Sequence, residues 1–228
     1  MGESRERKRR DRRLIMTCYP AWIASQLAPK ALSETGLFLL CIQFAVLISV
    51  HYSYPIFMNL IMSEAIRPAT RNDAAAICEI YNHYVLNTVI SFETEAVSVD
   101  EMRARIDDTL QQFPWLVYEV DGRILGYAYA SKWKVRKAYQ HSVEGSVYLS
   151  QDSGGRGVGT RLYQALIGEL AQLSVHAVLG GIVLPNPGSV ALHEKLGFVK
   201  VAHLPQIGRK FEQWLDVGYW QLILDEKN

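Results

Sequence analysis

Cysteine is scarce in this chain: three in 228 residues, Cys18, Cys41 and Cys78, far apart and without a CxxC pair. That excludes a disulfide framework and a thiolate zinc site, and it favours a reducing, cytoplasmic compartment with no metal cofactor. An excess of one charge is also missing. Twenty-four Lys and Arg offset 23 Asp and Glu, so a net charge of +1 gives no global case for nucleic-acid binding. Long apolar runs are few. Leu37 to Val50 is nearly all apolar but broken by Gln43 and Ser49, and it is shorter than the ~20 residues of a spanning helix. A secretory signal is not indicated, because two prolines separate the basic start from this run and no A-x-A site follows it.

The two ends of the chain differ. Residues 1–13, MGESRERKRRDRR, are basic, lack apolar periodicity and are expected to be disordered. For residues 36–57 three readings stay open: a signal-anchor helix, a peripheral hydrophobic segment, or an upstream region that is not part of the protein. The last is preferred, because MSEAIRPATRNDAAAI at Met62 opens like the first strand of a fresh domain. Two parts are therefore expected, an extension over 1–61 outside the folded domain and a domain over 62–228, with membrane association through 36–57 not expected.

From Ser63 the pattern is regular. AIRPA reads as a strand. Ile77, Ile80, Tyr81, Tyr84 and Val85 then recur at helical spacing, with Thr70 or Asn72 as cap. Residues 98–112 read as a second helix with a Ser98–Glu101 capping box. WLVYEV and RILGYAYAS flank Asp121-Gly122, a favoured hairpin turn. SVEGSVYLS alternates, with Val143, Gly145, Val147 and Leu149 on one face and Glu144, Ser146 and Tyr148 on the other. A helix follows the glycine stretch with Leu162, Leu166, Leu170 and Leu173 on one face. AVLGGIVL is an apolar strand, NPGSVALHEKLGF a short helix ending at Gly197, and two strands close the chain. The order β-α-α-β-β-β-α-β-α-β-β gives an α/β (α+β) fold, a mixed sheet of seven strands with helices on both faces.

SGGRGVGTRLYQAL, residues 153–166, places four glycines between a strand and a helix. Two readings compete. One is a flexible turn. The other is an anion site, where the unpaired N–H groups of the helix start meet phosphate oxygens and glycine lets them approach. The spacing fits neither a P-loop, which needs Lys, nor a dinucleotide fingerprint, since Gly155, Gly157 and Gly159 give GxGxG.

Together, VEGSVYLS, GRGVG, NPGSVALHEKLGF, WLDVGYWQ and SKWKVRKAYQHSVE resemble the phosphinothricin and methionine-sulfoximine acetyltransferase family of the GCN5-related N-acetyltransferase (GNAT) superfamily, over about residues 63–223. Gly154 stands where the superfamily's loop carries Arg or Gln. The resemblance implies a GNAT fold with a mostly antiparallel sheet, acetyl-CoA as co-substrate, a small-molecule amine as acceptor, and a homodimer. It implies pyrophosphate contacts at Gly155, Arg156, Gly157, Val158, Gly159 and Thr160, and a pantetheine arm along Val147, Tyr148 and Leu149. Asn186 is implied at the thiol end, though it also reads as a helix cap.

Acetyl transfer from a thioester to an amine needs a proton acceptor for the ammonium and a donor for the developing oxyanion. Glu144, an acid inside an otherwise uncharged strand, is the base candidate, or else a solvent-facing strand residue. His193 is expected as its partner or a proton relay. Tyr163 reads either as an oxyanion donor or as core. Acceptor selection falls, by the resemblance, to Phe92, Lys134, Arg136 and Tyr139, where a cationic, aromatic loop suits a carboxylate-bearing amino acid. A protein or peptide amine as acceptor, or a membrane-tethered acyl-CoA-binding module, are the alternatives.

Overall fold

The computed structural model describes residues 63–224. The readings made on residues 1–61, and Cys18 and Cys41, lie outside the described residues. The elements follow the expected order: β1 (Glu64–Pro68), α1 (Ala74–Asn87), α2 (Val99–Leu110), β2 (Trp115–Val120), β3 (Arg123–Lys132), β4 (Ser142–Leu149), α3 (Val158–Leu170), β5 (Ala177–Leu184), α4 (Pro187–Lys195), β6 (Val199–Lys210) and β7 (Gln213–Ile223). They form one seven-stranded sheet in the order β1-β2-β3-β4-β5-β7-β6. All its pairings are antiparallel except β4 with β5.

Local chemistry accounts for the element boundaries. Asp121 and Gly122 take φ of 51° and 78°, the left-handed pair that joins β2 to β3 without splaying them. Ser98 Oγ accepts from the Glu101 N–H at 3.1 Å, opening α2, while the Glu101 carboxylate pairs with Arg105 of the next turn. Thr70 caps a short 3-10 turn, Arg71–Asp73, that leads directly into α1 and forms a capping box with Asp73, while Asn72 lies inside that turn. The Asp73 carboxylate accepts from the Thr70 N–H at 2.7 Å and from Arg67 at 2.8 Å, and the Arg67 guanidinium holds it below the usual carboxylate range.

Two cores lie on opposite faces of the sheet. Leu162, Leu166 and Leu170 of α3 bury against Val143 and Val178 on one face. Ile77 and Val85 of α1, with Met102 and Ile106 of α2, bury against Trp115, Val117 and Tyr127 on the other. Leu173 does not join the first stripe. α3 stops at Leu170, and Leu173 lies beyond it, 44% exposed. Strand β4 serves both cores by alternation: Val143 faces α3, and Tyr148 packs with Tyr81, Tyr84 and Tyr127 on the α1/α2 side.

Candidate active site

The sheet opens at its centre. β4 and β5 pair only from Ser142 with Ala177 to Glu144 with Leu179; beyond that, β4 continues on β3 and β5 on β7. The β4 residues that bond to β3 are fixed by two flanking bonds, Trp133 N–H to Ser142 O and Ser150 N–H to Leu125 O. In an antiparallel ladder such bonding alternates, so the even-numbered residues of β4 bond to β3. The odd-numbered ones, Gly145, Val147 and Leu149, direct N–H and C=O into the opening. Tyr84 Oη donates to Leu149 O at 2.7 Å, and Tyr163 Oη approaches Gly145 O at 3.4 Å. Val147 is thus the residue of β4 whose backbone pair faces the gap with neither of these claims on it. Tyr148, expected beside it, spends its backbone on β3.

At the wide end of the opening the chain turns into α3. Gly155 and Gly157 both take φ of 75°, a left-handed conformation that glycine alone adopts freely, and Gly157 is the N-cap. A Cβ at Gly154, Gly155 or Gly157 meets nothing within 4 Å, and one at Gly159 only ordinary contact distances. These glycines leave backbone open rather than relieving a clash inside the protein. The first bond of α3 runs from Arg161 N–H to Gly157 O, so the N–H groups of Val158, Gly159 and Thr160 lack helical acceptors. Arg156 sits on this exposed turn.

At the narrow end, two adjacent glycines of β5 separate three side chains. Glu144 lies against Gly181 on the α1/α2 side, where a Cβ would stand 2.9 Å from its carboxylate oxygen. Burial raises the Glu144 carboxyl above its ordinary 4.5, and the Lys134 ammonium partly opposes this. His193 covers Gly180, whose Cβ would stand 2.3 Å from Nε2. Its Nδ1–H donates to Ser189 O at 2.8 Å, which assigns the bare lone pair to Nε2; that atom is buried and has no hydrogen-bond partner. Burial lowers its basicity below the ordinary 6.5. Tyr163 covers Gly145 in the same way, fully buried, and burial pushes its hydroxyl well above 10. The His193, Tyr163 and Phe198 rings form a cluster with centroids 5.1–5.4 Å apart. His193 and Glu144 are therefore not hydrogen-bonded partners, because one faces the α3/α4 layer and the other the α1/α2 layer.

The remaining expected residues divide. Asn186 caps α4, accepting from the Ser189 N–H at 3.1 Å. Lys134 lies over the Trp133 ring at 4.7 Å and acts on Glu144 through its charge. Arg136 and Tyr139 stand on the exposed stretch that follows it. Phe92 is 41% exposed and rests on Gly208 of β6. Among the described residues, no three His, Cys, Asp or Glu side chains are grouped to share a metal ion. The Gly180–Gly181 pair was missed in the sequence, although paired glycines inside an apolar strand signal a close approach. Lys210, a buried cation beside Phe92, carried no signal.

The chain matches the acetyltransferase (GNAT) domain family over residues 66–218. It is 41% identical to the phosphinothricin N-acetyltransferase of Streptomyces viridochromogenes, over 68% of this chain and 85% of that one. It is 40% identical to the L-methionine sulfoximine/L-methionine sulfone acetyltransferase of Salmonella typhimurium, over 71% and 95%. A phosphinothricin acetyltransferase from Sinorhizobium meliloti, solved in complex with acetyl-CoA, superposes with a TM-score of 0.69 at 35% identity, covering 72% of this chain and 89% of that one. A split central sheet, a glycine-opened helix start and an acid at the fork thus coincide with sequence likeness along the whole described domain, and the chain belongs to the GNAT family of N-acetyltransferases.

Proposed function

We propose that this protein transfers an acetyl group from acetyl-CoA to the amino group of a small amino-acid-like acceptor of the phosphinothricin, methionine sulfoximine or methionine sulfone type. The observation that carries this reading is the single opening that runs from the free N–H groups of α3, past the Val147 backbone, to Glu144. Its two ends suit the two ends of a pantetheine thioester, phosphates at the glycine turn and the acyl group at the fork. Gly155, Arg156, Gly157, Val158, Gly159 and Thr160 hold the pyrophosphate mainly through backbone donors. Val147 holds the arm as an added strand would, flanked by Tyr148 and Leu149, and the Asn186 amide faces its thiol end while capping α4.

Acetyl-CoA supplies an activated acyl group: the acceptor nitrogen bonds to the carbonyl carbon, the C–S bond breaks, and the second proton that the nitrogen sheds as it becomes an amide goes to the leaving thiolate. Glu144 takes the proton from the acceptor ammonium, directly or through one water, and its raised carboxyl is better matched to that task than an exposed one. The bare Nε2 of His193 makes it, in its neutral form, a proton acceptor on the α3/α4 side of the fork rather than a donor. Tyr163 Oη, at the Gly145 side of the fork, is the donor for negative charge on the carbonyl oxygen. Lys134, Arg136 and Tyr139 meet the acceptor carboxylate from the loop, and Phe92 forms the opposite wall.

Two further proposals concern assembly and place. β6 is an edge strand with Val199 66%, Val201 51% and Ile207 59% exposed, and the adjoining Trp214 of β7 is 61% exposed. Such an edge is normally covered, and a second copy covers it in a homodimer, which light scattering tests. Among the described residues no helix is long and apolar enough to cross a membrane, and a cytoplasmic location supplies the acetyl-CoA the reaction consumes. An assay of CoA release with methionine sulfone, methionine sulfoximine, phosphinothricin and an unrelated N-terminal peptide amine tests the substrate class. Turnover of the peptide alone would overturn it.

A further inference from the structure

Three residues between α1 and α2, Ser91, Phe92 and Glu93, are gripped from three elements. Tyr81 of α1 donates to Glu93 at 2.9 Å and accepts from Ser91 Oγ at 3.0 Å. Arg105 of α2 donates to both Glu93 oxygens, at 2.7 and 3.2 Å. The third grip comes from the far edge of the sheet. Lys210, the last residue of β6, is 3% exposed, and its Nζ donates to Ser91 O at 2.6 Å.

A buried ammonium is costly and persists where a specific contact holds it. Here the contact reaches across 119 residues of chain to a backbone carbonyl of a loop. Two residues earlier on β6, Gly208 lies beneath Phe92, where a Cβ would stand 2.2 Å from the ring. The strand register breaks between Leu204 and Gly208, which brings Gly208 opposite Leu215 of β7. The same loop reaches β5 and β7 through Val89, which packs, as Tyr219 does, against the small cluster of Val183, Leu215 and Val217. Tyr219 lies 3.2 Å from the Cβ position of Gly181, the glycine that Glu144 also covers. The loop that carries Ser91 and the Tyr219 ring beside Gly181 thus pack on one shared cluster next to the fork of the sheet.

We propose that Lys210 is a positioning residue for the acceptor amino acid: by drawing the Ser91 carbonyl onto β6 it fixes Phe92 as one wall of the acceptor site. Lys210 sets acceptor affinity and leaves acetyl-CoA binding and the transfer step alone. This rests on the acceptor reading given above, in which Phe92 faces the substrate. Lys210→Met keeps the stem and removes the donor, freeing the Ser91 carbonyl. Gly208→Ala, with Lys210 intact, displaces the Phe92 ring from below.

The test uses the full chain, L-methionine sulfone as acceptor, steady-state kinetics and calorimetry of acetyl-CoA. Lys210→Met is expected to raise the acceptor KM about tenfold or more with kcat within about threefold, the pattern of lost uniform binding. The Kd for acetyl-CoA stays unchanged. Gly208→Ala moves the acceptor KM in the same direction, and Lys210→Arg restores most of it. A wild-type acceptor KM in both folded variants, or a joint loss of kcat and acetyl-CoA binding, overturns the role of Lys210 and leaves the substrate reading standing. If the wild-type protein does not acetylate methionine sulfone at all, the substrate reading falls and the role of Lys210 falls with it.

Discussion

Glu144 and His193 lie against adjacent glycines of β5, Gly181 and Gly180, yet each answers to a different side of the sheet. For Glu144, the prediction is kinetic. Glu144→Gln keeps the shape and removes the base, and kcat should drop by roughly 10²–10⁴, about 3–5 kcal/mol of barrier. The acid limb of the wild-type pH–rate profile should lie above the ordinary carboxylate value of 4.5, because burial raises this group. A Glu144→Gln enzyme with normal turnover would remove it from the mechanism. For His193 the prediction is thermodynamic. Its folded basicity is lowered by burial from 6.5, so below that pH the unfolded chain binds a proton that the folded chain refuses. Its contribution is complete above 6.5 and is lost as pH falls through the lower folded value. Urea unfolding between pH 7.5 and 5 should therefore show a steeper loss of stability in the wild type than in His193→Gln. The face that Glu144 takes was legible in the sequence, since the alternation of β4 puts it opposite Val143 and on the side of Tyr148. The tautomer of His193 was not legible, because it depends on the Ser189 carbonyl one helical turn away. Lys210 was not legible either, because its partner is a backbone atom of a distant loop.

The elements themselves were written in periodicity: 3.6 in the helices, 2 in β4, and an Asp-Gly turn between β2 and β3. The exceptions were local. Leu173 continues the leucine spacing of α3, but the helix ends three residues earlier. Thr70 caps, but it caps a 3-10 turn ahead of α1, and Asn72, which also looks like a cap, lies inside that turn. The opening between β4 and β5 could not be read in advance, because strand pairing is a non-local property that a sequence pattern along one strand does not encode. What maintains the opening is testable. Gly180→Ala places a Cβ 2.3 Å from His193 Nε2, and Gly145→Ala one 2.7 Å from Tyr163 Oη. Both rings are packed with Phe198, so each must be displaced, and turnover should fall in both variants by a larger factor than acetyl-CoA affinity. Gly157→Val acts differently. Its cost is the left-handed φ, about 1–3 kcal/mol of strain for a residue with a branched Cβ. The helix start should shift, so that acetyl-CoA binds more weakly by calorimetry while the melting temperature falls by only a few degrees. Unchanged affinity in Gly157→Val would contradict the role of the glycine turn.

At the scale of the whole molecule, every residue assigned to the site stands on the one sheet, on the helices packed against it or on the loops between them, and all of them lie at or beyond Phe92. A fragment over 62–228 is accordingly predicted to keep the turnover and melting temperature of the full chain; a fall in either beyond error would assign the first 61 residues a part in the fold. The homodimer prediction belongs here too: Trp214→Glu together with Val201→Glu should leave a monomer by light scattering. One opening in the sheet is proposed to carry an acetyl group from a thioester to an amino-acid amine. The most direct test is mass spectrometry of the product when the full chain is incubated with acetyl-CoA labelled in the acetyl group and L-methionine sulfone, beside Glu144→Gln. Label is expected on the amino nitrogen, in step with released CoA, and at least a hundredfold less in the variant. Thioester hydrolysis without N-acetylated product, or equal labelling by both proteins, would contradict it.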